Sequence, residues 1–185
     1  MIRLFTALEI PDSVALRLAM LQGGLEGARW IERDDFHITL RFFGDVREDV
    51  AADLDEELGA IVSDRFDVEI EGTGEFGHGK PRALWAGVKP SPALVQLQAR
   101  QESIARQLSL MTEKRKFMPH VTLARLNRSL SAAEIIPWLQ AHSLFAAPVF
   151  TASSFVLMSS RSSVGGGPYV VERRYPFSDP EPDDF

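Results

Sequence analysis

FHITLRFFG at residues 36–44 and PHVTLARL at residues 119–126 are two versions of one phrase. The chain has only four histidines, yet two of them, His37 and His120, head the same His-x-Thr-Leu string 83 residues apart. Both strings mix β-branched, aromatic and polar residues in the alternation of a half-buried strand. Side chains in a strand point to opposite faces with a period of two. His37, Thr39 and Arg41 are therefore expected on one face and Ile38 and Leu40 on the other. By the same rule His120 and Thr122 share a face, with Val121 and Leu123 behind them. One face is core, and the other can surround a small anion of phosphate size with two imidazoles and two hydroxyls.

Working outward, the flanks repeat as well. LFTALEIP (4–11), a helix and FHITLRF match LWAGVKP (84–90), a helix and PHVTLARL. Phe5 falls opposite Trp85, and the spacings from these to the histidines, 32 and 35 residues, differ by a small insertion. Each half is a strand–helix–strand unit, and two such units pack most simply as lobes about a pseudo-twofold axis. The expected fold is α+β: two pseudo-symmetric lobes, each an antiparallel sheet with helices on its outer face, around a central cleft. Strands are expected over 4–10, 37–44, 66–72, 83–88, 120–126, 153–160 and 169–177. Helices are expected after Pro11 and Asp12, with Val14, Leu16, Leu18 and Leu21 toward one side, and over EDVAADLDEELGAIV, the stretch from Ser91 to Met111, and SAAEIIPWLQAH, where Pro137 shortens or kinks the last.

With 185 residues and 45% hydrophobic content, the chain can bury one substantial core, so residues 1–178 are read as a single bilobal domain. The acidic tail 179–185 reads as disordered, and SRSSVGGGPY (160–169) as a flexible loop at the cleft mouth. There is no cysteine for a disulfide, a thiolate nucleophile or a thiolate metal site. No apolar run approaches a membrane span, and the opening MIRLFTALEIPDSV does not read as a secretory signal, so a cytoplasmic protein is expected. The net charge of −6 argues against a broad phosphate-backbone surface but leaves room for a local basic pocket.

Two His-x-Thr strings in this order, with RLFTALEIP, RWIERDDFHITLRFFGDV, PRALWAGV, FMPHVTLARL and SSFVLMSSR around them, resemble the 2H phosphoesterase superfamily. The nearer likeness is to its RNA 2',3'-cyclic phosphodiesterase branch, historically called 2'-5' RNA ligase. The resemblance covers nearly the whole chain and implies hydrolysis of RNA 2',3'-cyclic phosphate ends to 2'-phosphomonoesters, with ligase activity as the reverse reaction. It implies His37 as proton donor to the departing 3'-oxygen, His120 as proton acceptor from water, and Thr39 and Thr122 as donors to the non-bridging oxygens. It also places Arg125 at the phosphate, although strict alternation puts Arg125 on the wrong face unless the strand bulges. Arg41 and Phe5 complete the expected substrate-binding set, Phe5 by stacking on a base; Trp85 reads as core.

No metal or other cofactor is expected, since two distant histidines lack a patterned third ligand. Asp34 and Asp35 read as a turn before the strand. The expected partner is RNA with a 2',3'-cyclic end, or a cyclic nucleotide, met by a monomer with no membrane. His78 and His142 have no repeat partner and read as structural or solvent-exposed. Two other readings are a noncatalytic module that binds RNA ends and a scaffold that has kept the duplicated fold.

Overall fold

A computed structural model describes residues 1–77, 79–160 and 169–179. His78, most of the glycine-rich loop and most of the acidic tail fall outside the described residues.

The alternating segments form β1 (Ile2–Glu9), β3 (His37–Val46), β5 (Ile70–Phe76), β6 (Ala83–Val88), β7 (His120–Leu126), β9 (Ser154–Ser160) and β10 (Tyr169–Pro176). Three short strands accompany them: β2 (Ala28–Trp30), β8 (Phe150–Ala152) and β4 (Phe66–Val68), which breaks the strand expected over 66–72 in two because β4 pairs with β8 while β5 pairs with β6. All the strand pairs are antiparallel, in the order β10-β9-β1-β3-β7-β6-β5, with β2 also on β7 and β4 paired with β8. The middle of that order, β9-β1-β3 against β5-β6-β7, reads the same from either side. The halves join where β3 meets β7, at the single pair Ile38–Val121. These are the central residues of the two His-x-Thr strings, so the pseudo-twofold axis passes between them.

The repeat runs further than its motifs. In the first half β3 is followed by α2 (Glu48–Gly59), β4 and β5; in the second β7 is followed by α4 (Ala132–Ala141), β8 and β9. Yet β5 pairs with β6 of the second half, and β9 with β1 of the first. Each half therefore donates its last strand to the other lobe, which ties the lobes together.

Among the described residues, four helices supply the outer layer. α1 (Asp12–Ala19) and α3 (Pro92–Gln107) are the crossovers within each half. α3 starts where Ser91 Oγ accepts from Leu94 N–H at 3.2 Å with Pro92 in the first turn, and α4 starts on a Ser131–Glu134 capping box. α4 continues past Pro137 to Ala141. Val14 and Leu18 of α1, Leu54 and Leu58 of α2, Leu94 and Leu97 of α3, and Ile135 of α4 share one core with Ile38, Leu40, Val121 and Leu123. The helices thus cover the face opposite the histidines. Leu16, expected on the buried side of α1, is half exposed, and Ala15 takes its place.

Candidate active site

The one-pair junction sets the two histidines on the same open face of the sheet, either side of the axis. Their local setting is duplicated. His37 Nδ1 lies 2.8 Å from the carbonyl of Asp35, in the 3-10 turn Arg33–Asp35, and His120 Nδ1 lies 2.7 Å from the carbonyl of Met118. A carbonyl can only accept, so each ring holds its proton on Nδ1 and, when neutral, leaves Nε2 as the basic atom. Both imidazoles are held below their ordinary pKa, chiefly by burial, with the carbonyl bond opposing. The positive charge of Arg125 lowers both further, and that of His120 lowers His37. Arg125 and the two histidines therefore sense one another across the junction.

Arg125 reaches this face because the strand bulges. Across β6 and β7, Leu84 pairs with Ala124 but Trp85 pairs with Thr122, leaving Leu123 as an extra residue. Across β1 and β3, Thr6 pairs with Arg41 but Ala7 pairs with Thr39, leaving Leu40 extra. An inserted residue resets the alternation. The residue five places after each histidine comes out to solvent, Arg125 in one half and Phe42 in the other, and the residue before it turns inward.

Two expected site residues are displaced by this geometry. Arg41 is 3% exposed and faces the helices; its Nε is 2.5 Å from Glu102 Oε2 of α3, and its other nitrogens donate to the carbonyls of Phe42 and Met111. It is a buried structural cation, because the bulge at Leu40 moves it off the face that simple alternation assigns it. Phe5, expected to offer a stacking face, is 4% exposed and packs with Ala7, Val156 and Met158, its ring 5.2 Å from that of His37. The accessible ring is Phe42, 39% exposed and roughly parallel to Phe5 at 6.5 Å. The repeat itself held the signal for Phe42, since it stands at the same offset from His37 as Arg125 does from His120.

Aromatic rings wall both imidazoles. Tyr169 meets His37 edge-on at 5.0 Å, and Phe76 meets His120 edge-on at 4.8 Å. Trp85 lies 6.3 Å from His120, and its indole covers Gly74 so closely that a β-carbon there would stand 2.2 Å from the ring. Thr39 and Thr122 are partly exposed on the histidine face. Among the described residues no three His, Asp or Glu side chains group as a metal site. His142 lies away from the cleft, against Trp138 of α4. Two concavities elsewhere, one by Glu57 and Arg100 and one by Glu9 and Arg174, contain no histidine, so side-chain chemistry rather than hollow volume locates the site.

Known proteins resemble this chain in sequence and in fold. A family profile described as the 2'-5' RNA ligase superfamily matches residues 10–163. The RNA 2',3'-cyclic phosphodiesterase of Aeropyrum pernix is 38% identical over 60% of this chain, an aligned segment spanning 64% of that protein's length. The protein of the same name from Archaeoglobus fulgidus is 32% identical over 68% of this chain and 73% of its own. Among solved structures, Escherichia coli LigT complexed with 3'-AMP superposes with a TM-score of 0.79 over 96% of this chain and 99% of that one at 22% identity, a likeness of fold. Profile and relatives agree on one assignment: the chain belongs to the 2'-5' RNA ligase superfamily.

Proposed function

We propose that this protein hydrolyses the 2',3'-cyclic phosphate at RNA ends to a 2'-phosphomonoester, using two histidines and no metal. The supporting observation is the pair of imidazoles on either side of the Ile38–Val121 junction, each with Nδ1 tied to the carbonyl two residues earlier and Nε2 free. Relatives named RNA 2',3'-cyclic phosphodiesterase give the substrate class.

Opening the ring needs a base at the attacking water and an acid at the departing oxygen, in line across phosphorus. Neutral His120 takes a proton from water on Nε2 as the new P–O bond forms. Protonated His37 gives its Nε2 proton to O3' as the P–O3' bond breaks, which leaves a 3'-hydroxyl and a 2'-phosphate. With a ribose 5'-hydroxyl in place of water, the same ring-opening steps make a 2'-5' linkage and free the 3'-hydroxyl; run backwards, they cleave that linkage to the cyclic phosphate. Thr39, Thr122 and Arg125 would hold the non-bridging oxygens, whose charge persists through the transition state. Phe42 would carry the terminal base on the His37 side, beside the leaving 3'-oxygen. Both histidines come from one chain, so a monomer suffices. Residues 1–178 work as one bilobal unit, because each half lends the other a strand. No helix among the described residues is long and apolar enough to cross a membrane.

Incubation with 2',3'-cyclic AMP in EDTA tests the proposal, and 2'-AMP is the expected product. Turnover that stops on chelation and returns with a divalent ion would overturn the metal-free scheme. Saturable binding without turnover would favour the noncatalytic module instead, and neither binding nor turnover would favour the scaffold.

A further inference from the structure

The crossover from α3 to β7 is tied to β3 at its start and to a site histidine at its end. At its start, the carbonyl of Met111 accepts from Arg41, and a β-carbon on Gly44 of β3 would stand 3.5 Å from Met111 Cε. At its end, the carbonyl of Met118 accepts from His120. Between these anchors the chain runs without regular structure and presents Lys114, Arg115 and Lys116, all exposed. Arg115 is engaged by Glu113 at 3.4 Å; Lys114 and Lys116 have no acidic partner among the described residues.

This concentration of charge is local, since the chain as a whole carries −6. It is also lopsided. The corresponding crossover of the first half, residues 20–36, sets Glu26, Glu32, Asp34 and Asp35 against Arg29 and Arg33, and is partly spent on β2, which pairs with β7. The pseudo-twofold therefore breaks in a directed way: one crossover carries a paired strand, and the other carries exposed cations on a loop that starts at β3, the strand that displays Phe42. Free cations that track a backbone, next to an exposed ring on which a base can stack, are the elements of a single-strand site.

We infer that, on an RNA strand, Lys114 and Lys116 hold the phosphates preceding the terminal cyclic nucleotide. The inference rests on the cyclic-end reading above and adds the path of the strand.

The test compares wild-type protein with the double variant Lys114→Gln/Lys116→Gln on two substrates, 2',3'-cyclic AMP and a single-stranded pentanucleotide with a 2',3'-cyclic end, over a range of salt. On the pentanucleotide the variant should show KM raised about tenfold, and a log(kcat/KM) against log[salt] slope shallower by about 1.4, two contacts at roughly 0.7 each. On cyclic AMP the variant should match wild type in KM, kcat and salt slope. Equal losses on both substrates, or no loss on either, overturn the track while leaving the reaction standing. Failure of wild type to turn over either substrate overturns the reaction and the track together.

Discussion

Around His37 the ring partners are Phe5 and Tyr169; around His120 they are Trp85 and Phe76. The edge-on contact is nearly the same in both halves, at an interplanar angle of 79° in each, yet Phe76 comes from β5 within the repeat and Tyr169 from β10 outside it. A contact rebuilt from a different strand points to a constraint on the imidazole itself. Where the halves differ, the differences have polarity: Phe42 against Arg125, Arg41 against Ala124, a loop with free lysines against a paired strand. The shared parts hold two equivalent imidazoles, and under the proposed reaction the unshared parts would make one side the nucleoside side and the other the phosphate side.

The largest test of this comparison removes the shared parts. His37→Ala and His120→Ala should each lower turnover of a cyclic nucleotide by about 10²–10⁴-fold, the usual contribution of a positioned acid or base. Folding should survive, since both rings lie on the open face. Their roles should then separate by leaving group. On a substrate that expels nitrophenolate, which needs little protonation, His37→Ala should recover much of its rate and His120→Ala should not. Equal recovery in both, or recovery of His120→Ala alone, would show that the sides have been assigned in reverse.

A second test concerns the inward-turned residues. In the His120 half, Ala124 turns inward and β7 is supported by β2. In the His37 half that support falls to Arg41, which ties β3 to Glu102 of α3 and to the Met111 carbonyl. Arg41→Ala should therefore destabilise the fold by about 3–5 kcal/mol, the range for breaking a buried ion pair by removing one partner. The double variant Arg41→Met/Glu102→Leu should be milder, because it leaves no buried charge behind. Urea unfolding checks both, and a single variant with wild-type stability would remove Arg41 from this role.

The threonines test equivalence on a smaller scale. Thr39→Ala and Thr122→Ala should each slow turnover by roughly ten- to a thousandfold, the range for losing one donor to a transition-state oxyanion. The two losses should be of similar size, because the threonines are related by the axis and, under the proposed reaction, would serve the same group of oxygens. Unchanged kinetics in both would remove them from the site.

Much of this was legible because two kinds of signal coincide in the motif. Alternation identified the strands, and repetition of His, Thr and their flanks identified the axis, so the lobes, the helices and the histidine face followed. What alternation could not supply is the bulge. One extra residue at Leu40 and one at Leu123 reverse the faces of the residues that follow, in β3 until a second extra residue at Phe43; simple alternation therefore makes Arg41 a ligand, misplaces Arg125 and hides Phe42. Phe5 was misjudged for another reason. Its face toward the site was right, but a small apolar cluster with Val156 and Met158 covers it, and that cluster forms only because the second half lends β9 to the first. β2 and β8, three residues each, are too short to show a period.

The last test uses charge rather than deletion. Both imidazoles have folded pKa values below the ordinary 6.5, mainly through burial and further through Arg125, so raising the pH through that region leaves both neutral in the free protein. Neutrality suits His120 as base but disarms His37 as acid. A rate that depends on free protein, kcat/KM, should therefore fall on its alkaline side at a pH below 6.5. Substrate brings a phosphate anion between the rings, and an anion favours the imidazolium form, raising the pKa of the ring that must stay protonated. The alkaline limb of kcat should accordingly lie at higher pH than that of kcat/KM. Arg125→Ala should move the alkaline limb of kcat/KM upward by a smaller step, because burial, the larger cause, remains. Both profiles can be measured on 2',3'-cyclic AMP. Coincident limbs in wild type would mean that the phosphate does not charge His37, and the acid would have to be sought among the groups beside Arg125 instead.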